Sequence, residues 1–153
     1  MVPGMYGIAA PYWKETAPTV FVGEGNLPPQ EVLLRAGMES IAFLVADILA
    51  QLKKISGLKI HEIIAAGGAA RPPLLQFQAD LLGIPIRHSS ITDATALGSA
   101  FLAGLQTGLW KDIKEIQHLV RGDETFTSRI SFYDREDLLK KWHDVLKANG
   151  IRP

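Results

Sequence analysis

The segment Ile60-His61-Glu62-Ile63-Ile64-Ala65-Ala66-Gly67-Gly68 constrains the fold of this chain more than any other stretch. A short apolar run halted at once by two glycines reads as a buried strand that turns sharply at its C-terminal end. A helix follows. Pro72 and Pro73 suit a first helical turn, Leu74, Leu75, Phe77, Ala79, Leu81 and Leu82 carry its apolar side, and Gly83 stops it. Ile84-Pro85-Ile86 is then a second short strand, whose proline places it at a sheet edge or a strand start. Strand, glycine turn, helix and strand in succession make an α/β architecture.

The flanking segments extend this pattern. Residues 1 to 13 mix Pro3, Gly4, Gly7 and Pro11 with Tyr6, Tyr12 and Trp13, which reads as an ordered loop with aromatic anchors. Thr19 to Val22 is a strand stopped by Gly23 and Gly25. Asn26 caps a long helix that runs from Val32 to Ile55 and closes at Gly57. Ala42 and Phe43 make its middle apolar nearly all round, so burial on more than one side is expected. Thr92 or Asp93 caps a third helix whose Ala96, Gly98, Ala100, Ala103 and Gly104 allow close contact. Order weakens beyond Trp110. Residues 121 to 133 read as a loop with room for a short strand, and Asp134 caps a last amphipathic helix through Leu138, Leu139, Trp142, Val145 and Leu146.

Composition narrows the partners. Sixteen basic residues offset sixteen acidic ones, so no long-range field draws a nucleic acid or an anionic membrane. Hydrophobic residues at 47% and charged ones at 21% are the balance of a globular chain able to bury a core. The absence of cysteine removes disulfides, thiolate metal sites and a cysteine nucleophile, and favours a reducing compartment. With no secretory signal pattern and no apolar run of roughly 20 residues, the expected location is the cytoplasm.

Few side chains invite chemistry by spacing. His61, His88, His118 and His143 lack metal-ligand spacing, and no metal site is expected. Asp80 and Asp93 read as a solvated helix face and a helix cap, Ser89-Ser90 has no partnered base, and Trp13, Trp110 and Trp142 read as packing anchors. The glycine corner is different. Paired glycines at a strand end let the backbone lie flush against a flat ligand, and the following helix offers amides, so a nucleotide fits there. The competing reading is that the glycines serve turn geometry alone.

Gly67-Gly68-Ala69-Ala70 with Leu75 to Pro85, then Thr95 to Leu105, resemble the C-terminal signature of the FGGY carbohydrate kinase family. Val2-Pro3 with Gly7 to Trp13, Arg35-Ala36 with Glu39 to Phe43, Gly108-Leu109-Trp110, and Asp134-Arg135 with Trp142 are most similar to the glycerol kinases of that family. The resemblance implies an α/β fold that is part of an actin-like, ribonuclease H-like ATPase domain, a mixed sheet flanked by helices. Residues 1–153 would then be a single partial domain, the nucleotide-binding C-terminal part, with residues 121–153 its loop plus C-terminal helix. The implied cofactors are ATP and Mg2+. Gly68 would lie against the adenosine, Gly67 would shape the turn, and Ala69, Arg71 and Pro72 would complete the contacts.

The chain departs from the family at two places. Glycerol kinases usually carry an asparagine a few residues after the glycines, where Arg71-Pro72 stand here in a shorter segment. Arg71 is open to three readings: stacking on the base, reaching phosphate, or remaining an exposed loop arginine. The usual acidic residue before the glycines is replaced by Ala66.

The resemblance assigns no catalytic residue to this chain. It places most substrate contacts and the proton-accepting aspartate in the N-terminal domain and the phosphate-embracing hairpin at the start of the C-terminal domain, both ahead of the residues seen here, so a missing N-terminal kinase portion is an expected partner. The chain alone is expected to be inactive, because phosphoryl transfer needs all of these positioned together. With that portion it would move the ATP γ-phosphate to glycerol or a related polyol; a ketose such as xylulose is the second choice. A non-catalytic dimerisation or regulatory module of the same fold is the alternative, and Arg71 and Ala66 favour it. An unpaired sheet edge and apolar surface are expected to cause self-association.

Overall fold

The computed structural model describes every residue except Met5, Glu24, Leu27, Arg121 and Pro153, and for Gly122 and Asp123 the backbone alone. Helices are α1 (Gln30–Ser56), α2 (Pro72–Leu82), α3 (Ala94–Thr107), α4 (Ile113–Gln117) and α5 (Phe132–Ala148), and strands are β1 (Ile63–Ala65), β2 (Ile86–Ser89) and β3 (Gly122–Phe126). The sheet order is β1-β2-β3. β1 pairs parallel to β2 through Ile63 with Ile86, Ile64 with Arg87 and Ala65 with His88. β3 runs antiparallel to β2, with an irregularity between His88 and Ser89. The sheet is therefore mixed, and α2 is the crossover that parallel pairing requires.

Helix α2 organises the packing because it is apolar on two sides. Leu75 and Ala79 join Ala70, Ile86 and Phe126 in a buried cluster between α2 and the sheet. Leu74 and Leu81 turn the other way, onto Ala42 and Ala46 of α1 and onto Leu138 and Leu139 of α5. A third cluster joins Val2, Ile8 and Tyr12 of the N-terminal loop to Trp142, Leu146 and Ile151. Gly83 ends α2 with a left-handed φ of 64°, and a side chain there would run into Arg135 of α5.

Several expectations change. α1 buries only Ser40, Ala42, Ala46 and Asp47, so it is not the core helix expected. Phe43 and Leu44 are half-buried against the core, whereas Val32, Leu34, Ile41, Leu52 and Ile55 stay exposed because the sheet lies on the far side of α2. Pro29, not Asn26, occupies its N-cap, with no side-chain hydrogen bond. The Thr19–Val22 strand reduces to an isolated bridge between Val2 and Val20. β1 shrinks to three residues, and β2 begins just after Pro85 as the central strand, not an edge. Asp93 caps α3 by accepting from the Ala96 N–H at 3.0 Å. Ser131, not Asp134, caps α5; the two form a reciprocal capping box in which the Asp134 N–H donates to the Ser131 hydroxyl. Among the described residues, no helix is long and apolar enough to cross a membrane.

Candidate functional site

The corner after β1 is built from the backbone outward. Gly67 has φ +97°, a left-handed conformation that side chains resist, so glycine is required there for shape. Its N–H donates to the Ile91 carbonyl at 3.3 Å, tying the turn to the loop after β2. Its own carbonyl accepts from the Ala70 N–H at 3.1 Å, and Ala70 anchors the turn in the core. At Gly68 φ lies outside the left-handed region, and a Cβ would meet no atom within 4 Å. Neither conformation nor packing inside this chain requires glycine at Gly68. What its hydrogen leaves is an open stretch of backbone facing solvent.

Ala69, Arg71 and Pro72 are all exposed around this face. The Arg71 Nε donates to the Gly68 carbonyl at 3.1 Å, so the side chain folds back on the turn it follows. Pro72 and Pro73 open α2, and Leu75 N–H donates to the Arg71 carbonyl at 3.0 Å. The first helical turn thus lacks two of the amides expected to be available, because proline carries none. The corner suits a flat ligand better than a phosphate cradled by helix amides.

No carboxylate stands between Ala66 and Pro73, and among the described residues no group of three His, Asp or Glu side chains could hold a metal ion. The four histidines do not converge. Trp142 is buried and stacks on Phe43 at 5.0 Å between ring centres, Trp110 lies against Gly104, and Trp13 is exposed. A groove of about 560 Å³ between α1 and α2, lined by Leu34, Met38, Pro73 and Phe77, ends at the first turn of α2 beside the corner.

Sequence reasoning missed a second polar centre. Asp47, in the apolar stretch of α1, is 5% exposed. It accepts hydrogen bonds at 2.7 Å from the Tyr12 hydroxyl and the Trp142 Nε1, and the His143 Nε2 lies 2.7 Å from its other oxygen. Burial, then the hydrogen bond and charge of Asp47, push the Tyr12 hydroxyl far above the ordinary phenol range. The signal was a carboxylate between Ala46 and Ile48, where a helix otherwise keeps an apolar stripe. The cluster clasps the N-terminal loop, α1 and α5, beside a cavity of about 750 Å³ that Gln51, Lys147 and Arg152 also line.

The family model described as the FGGY family of carbohydrate kinases, C-terminal domain, matches residues 1–107. A glycerol kinase of Pseudothermotoga lettingae is 40% identical over 146 residues, spanning 95% of this chain and 29% of that protein. One of Dechloromonas aromatica is 41% identical over 150 residues, 97% of this chain and 30% of its own length. Among solved structures, Plasmodium falciparum glycerol kinase with ADP is similar at a TM-score of 0.82 and 28% identity, covering 99% of this chain and 31% of that one. Gluconate kinase from Lactobacillus acidophilus is similar at a TM-score of 0.79 and 25% identity, covering 94% and 30%. The chain therefore spans under a third of the length of each of these proteins.

Proposed function

Because the chain belongs to the FGGY family of carbohydrate kinases, as a C-terminal domain most like that of glycerol kinases, we propose that it is the ATP-binding portion of an enzyme that phosphorylates glycerol or a related polyol. The single observation that carries the nucleotide assignment is the open face at Gly68, where nothing inside the chain requires glycine. Gly67 sets the turn, Gly68 lies against the adenosine, and Ala69, Arg71 and Pro72 border it. The ADP named with the Plasmodium falciparum neighbour supports this reading.

The residues for the chemistry itself belong to the remainder of the enzyme. The corner carries no carboxylate to take a hydroxyl proton or to hold Mg2+, and it has few amides for phosphate. Phosphoryl transfer depends on positioning and on charge neutralisation along an in-line path. The chain's contribution is to orient the nucleotide; Mg2+, base and substrate pocket come from the N-terminal kinase portion. The fraction of relatives' length that it spans supports that division. With no helix to cross a membrane among the described residues, the cytoplasm fits this reading.

Joining the chain to the N-terminal two thirds of a related glycerol kinase tests the proposal. ATP-dependent glycerol phosphate formation is expected from the joined protein and not from either part alone. A folded joined protein that phosphorylates neither polyols nor ketoses defeats it.

A further inference from the structure

Helix α1 is apolar on two opposite sides, and the chain covers one of them. Ala42, Phe43 and Ala46 pack inward against α2 and α5. Leu34, Met38, Ile41, Val45, Ile48 and Leu52 follow one another at alternating spacings of four and three residues, which aligns them along the other side in a seam about 27 Å long. Val45 and Ile48 are half-buried and the other four are exposed. The sheet is open next to this seam. N–H and carbonyl groups of a parallel strand point alternately to its two sides, and the Ile63 N–H donates to the Pro85 carbonyl at 3.0 Å on the β2 side. The Ile64 N–H and carbonyl therefore point out of the sheet, at an edge that pairs with nothing further among the described residues.

We propose that the β1 edge and the α1 seam are one seat, filled by a strand of the N-terminal kinase portion that pairs with β1 and lays its apolar face on α1; this rests on the family membership stated above. The layout makes the two openings neighbours. α2 covers β2 and β3, α1 lies beside α2, and only six residues, 57–62, lead from α1 to β1, so a sheet continued past β1 reaches α1. A helix laid on the seam would leave the Ile64 backbone groups unpaired, whereas a strand satisfies edge and seam together. The relatives supply the chain for it. This one spans 29% and 30% of two glycerol kinases, which leaves about 70% of each outside, and the matching family model is that of a C-terminal domain, so that length precedes the residues seen here.

Amide hydrogen exchange at Ile64 tests the seat. The chain alone, at a concentration where it is monomeric, is compared with the chain joined to the N-terminal two thirds of a related glycerol kinase. Exchange at Ile64 is expected to slow at least about tenfold in the joined protein. Ile41→Asp puts a charge on the seam at a position exposed in the chain alone, and Tyr133→Asp does the same at the exposed start of α5. Ile41→Asp is expected to change the urea midpoint of the chain alone little, to lower that of the joined protein and to restore fast exchange at Ile64 there; Tyr133→Asp should do none of these. Equal loss from Ile41→Asp in both proteins, or unslowed Ile64 exchange in the joined protein, overturns the inference. Slowing that the chain alone reaches as its concentration rises, and that joining does not produce, assigns the edge to a second copy and overturns it as well. Titration of the same joined protein with ATP keeps the readings apart: ATP binding with unslowed Ile64 exchange defeats the seat alone, and slowed exchange without ATP binding defeats the nucleotide reading alone.

Discussion

At Gly67 and Gly68 the same residue type stands for different physical reasons, and substitution separates them. Gly67→Ala places a side chain in a left-handed conformation at φ +97° and should lower stability by about 1–2 kcal/mol in urea denaturation. A Cβ at Gly68 meets no atom within 4 Å and the position is exposed, so Gly68→Trp should leave stability within about 0.5 kcal/mol while removing adenine nucleotide binding in calorimetry. Unchanged nucleotide affinity in Gly68→Trp would remove the ligand from this corner. The sequence made the turn legible through its paired glycines, but the open space above Gly68 depends on side chains remote along the chain. Tyr12 carries a second residue-scale prediction. The folded chain holds its phenol proton at pH values where the unfolded chain, with a phenol near 10.0, has released it. Its contribution to stability is therefore full below about pH 10 and declines above it, at up to about 1.4 kcal/mol per pH unit. Urea midpoints measured from pH 8 to 11 should fall less steeply for Tyr12→Phe than for the wild type; identical slopes would refute the linkage.

Local signals located most elements because apolar spacing and glycine stops act over a few residues. They misplaced ends. β1 and the Thr19–Val22 run lost length because a strand lasts only as long as its partner, and no partner follows residues 60–62 or the neighbours of Val20. The α5 start moved from Asp134 to Ser131 because a reciprocal pair of side chains decides it, and either residue could have been the cap. Ser131→Ala should therefore destabilise the chain by about 1 kcal/mol, checked by chemical denaturation. Asp134→Ala in the same assay should lose less, since the Ser131 hydroxyl retains the backbone amide at 3.1 Å. A larger loss from Asp134→Ala would mean that the carboxylate is the principal cap after all.

On the scale of the molecule, one sheet edge and much of α1 are unfinished. Among the described residues β1 pairs only with β2, and Ile64, on the face away from α2, is 52% exposed. Leu34 and Ile55 of α1 are 62% and 82% exposed, more apolar surface than a self-sufficient fold leaves open. Sedimentation velocity should show the weight-average coefficient rising with concentration, and an added N-terminal kinase portion should suppress that rise. A single monomeric species at all concentrations would contradict this.

Periodicity and the glycine corner determined the fold class and the crossover of α2, and motif blocks along the chain carried the resemblance to the family, because each is written in adjacent residues. Tertiary structure alone decided which face of α1 is buried, that β2 is central, and that Asp47 gathers Tyr12, Trp142 and His143. Tyr12 and Trp142 are 35 and 95 positions from Asp47, and no local pattern reports a meeting across such separations. Burial there follows from which elements pack together, and packing is a property of the assembled chain.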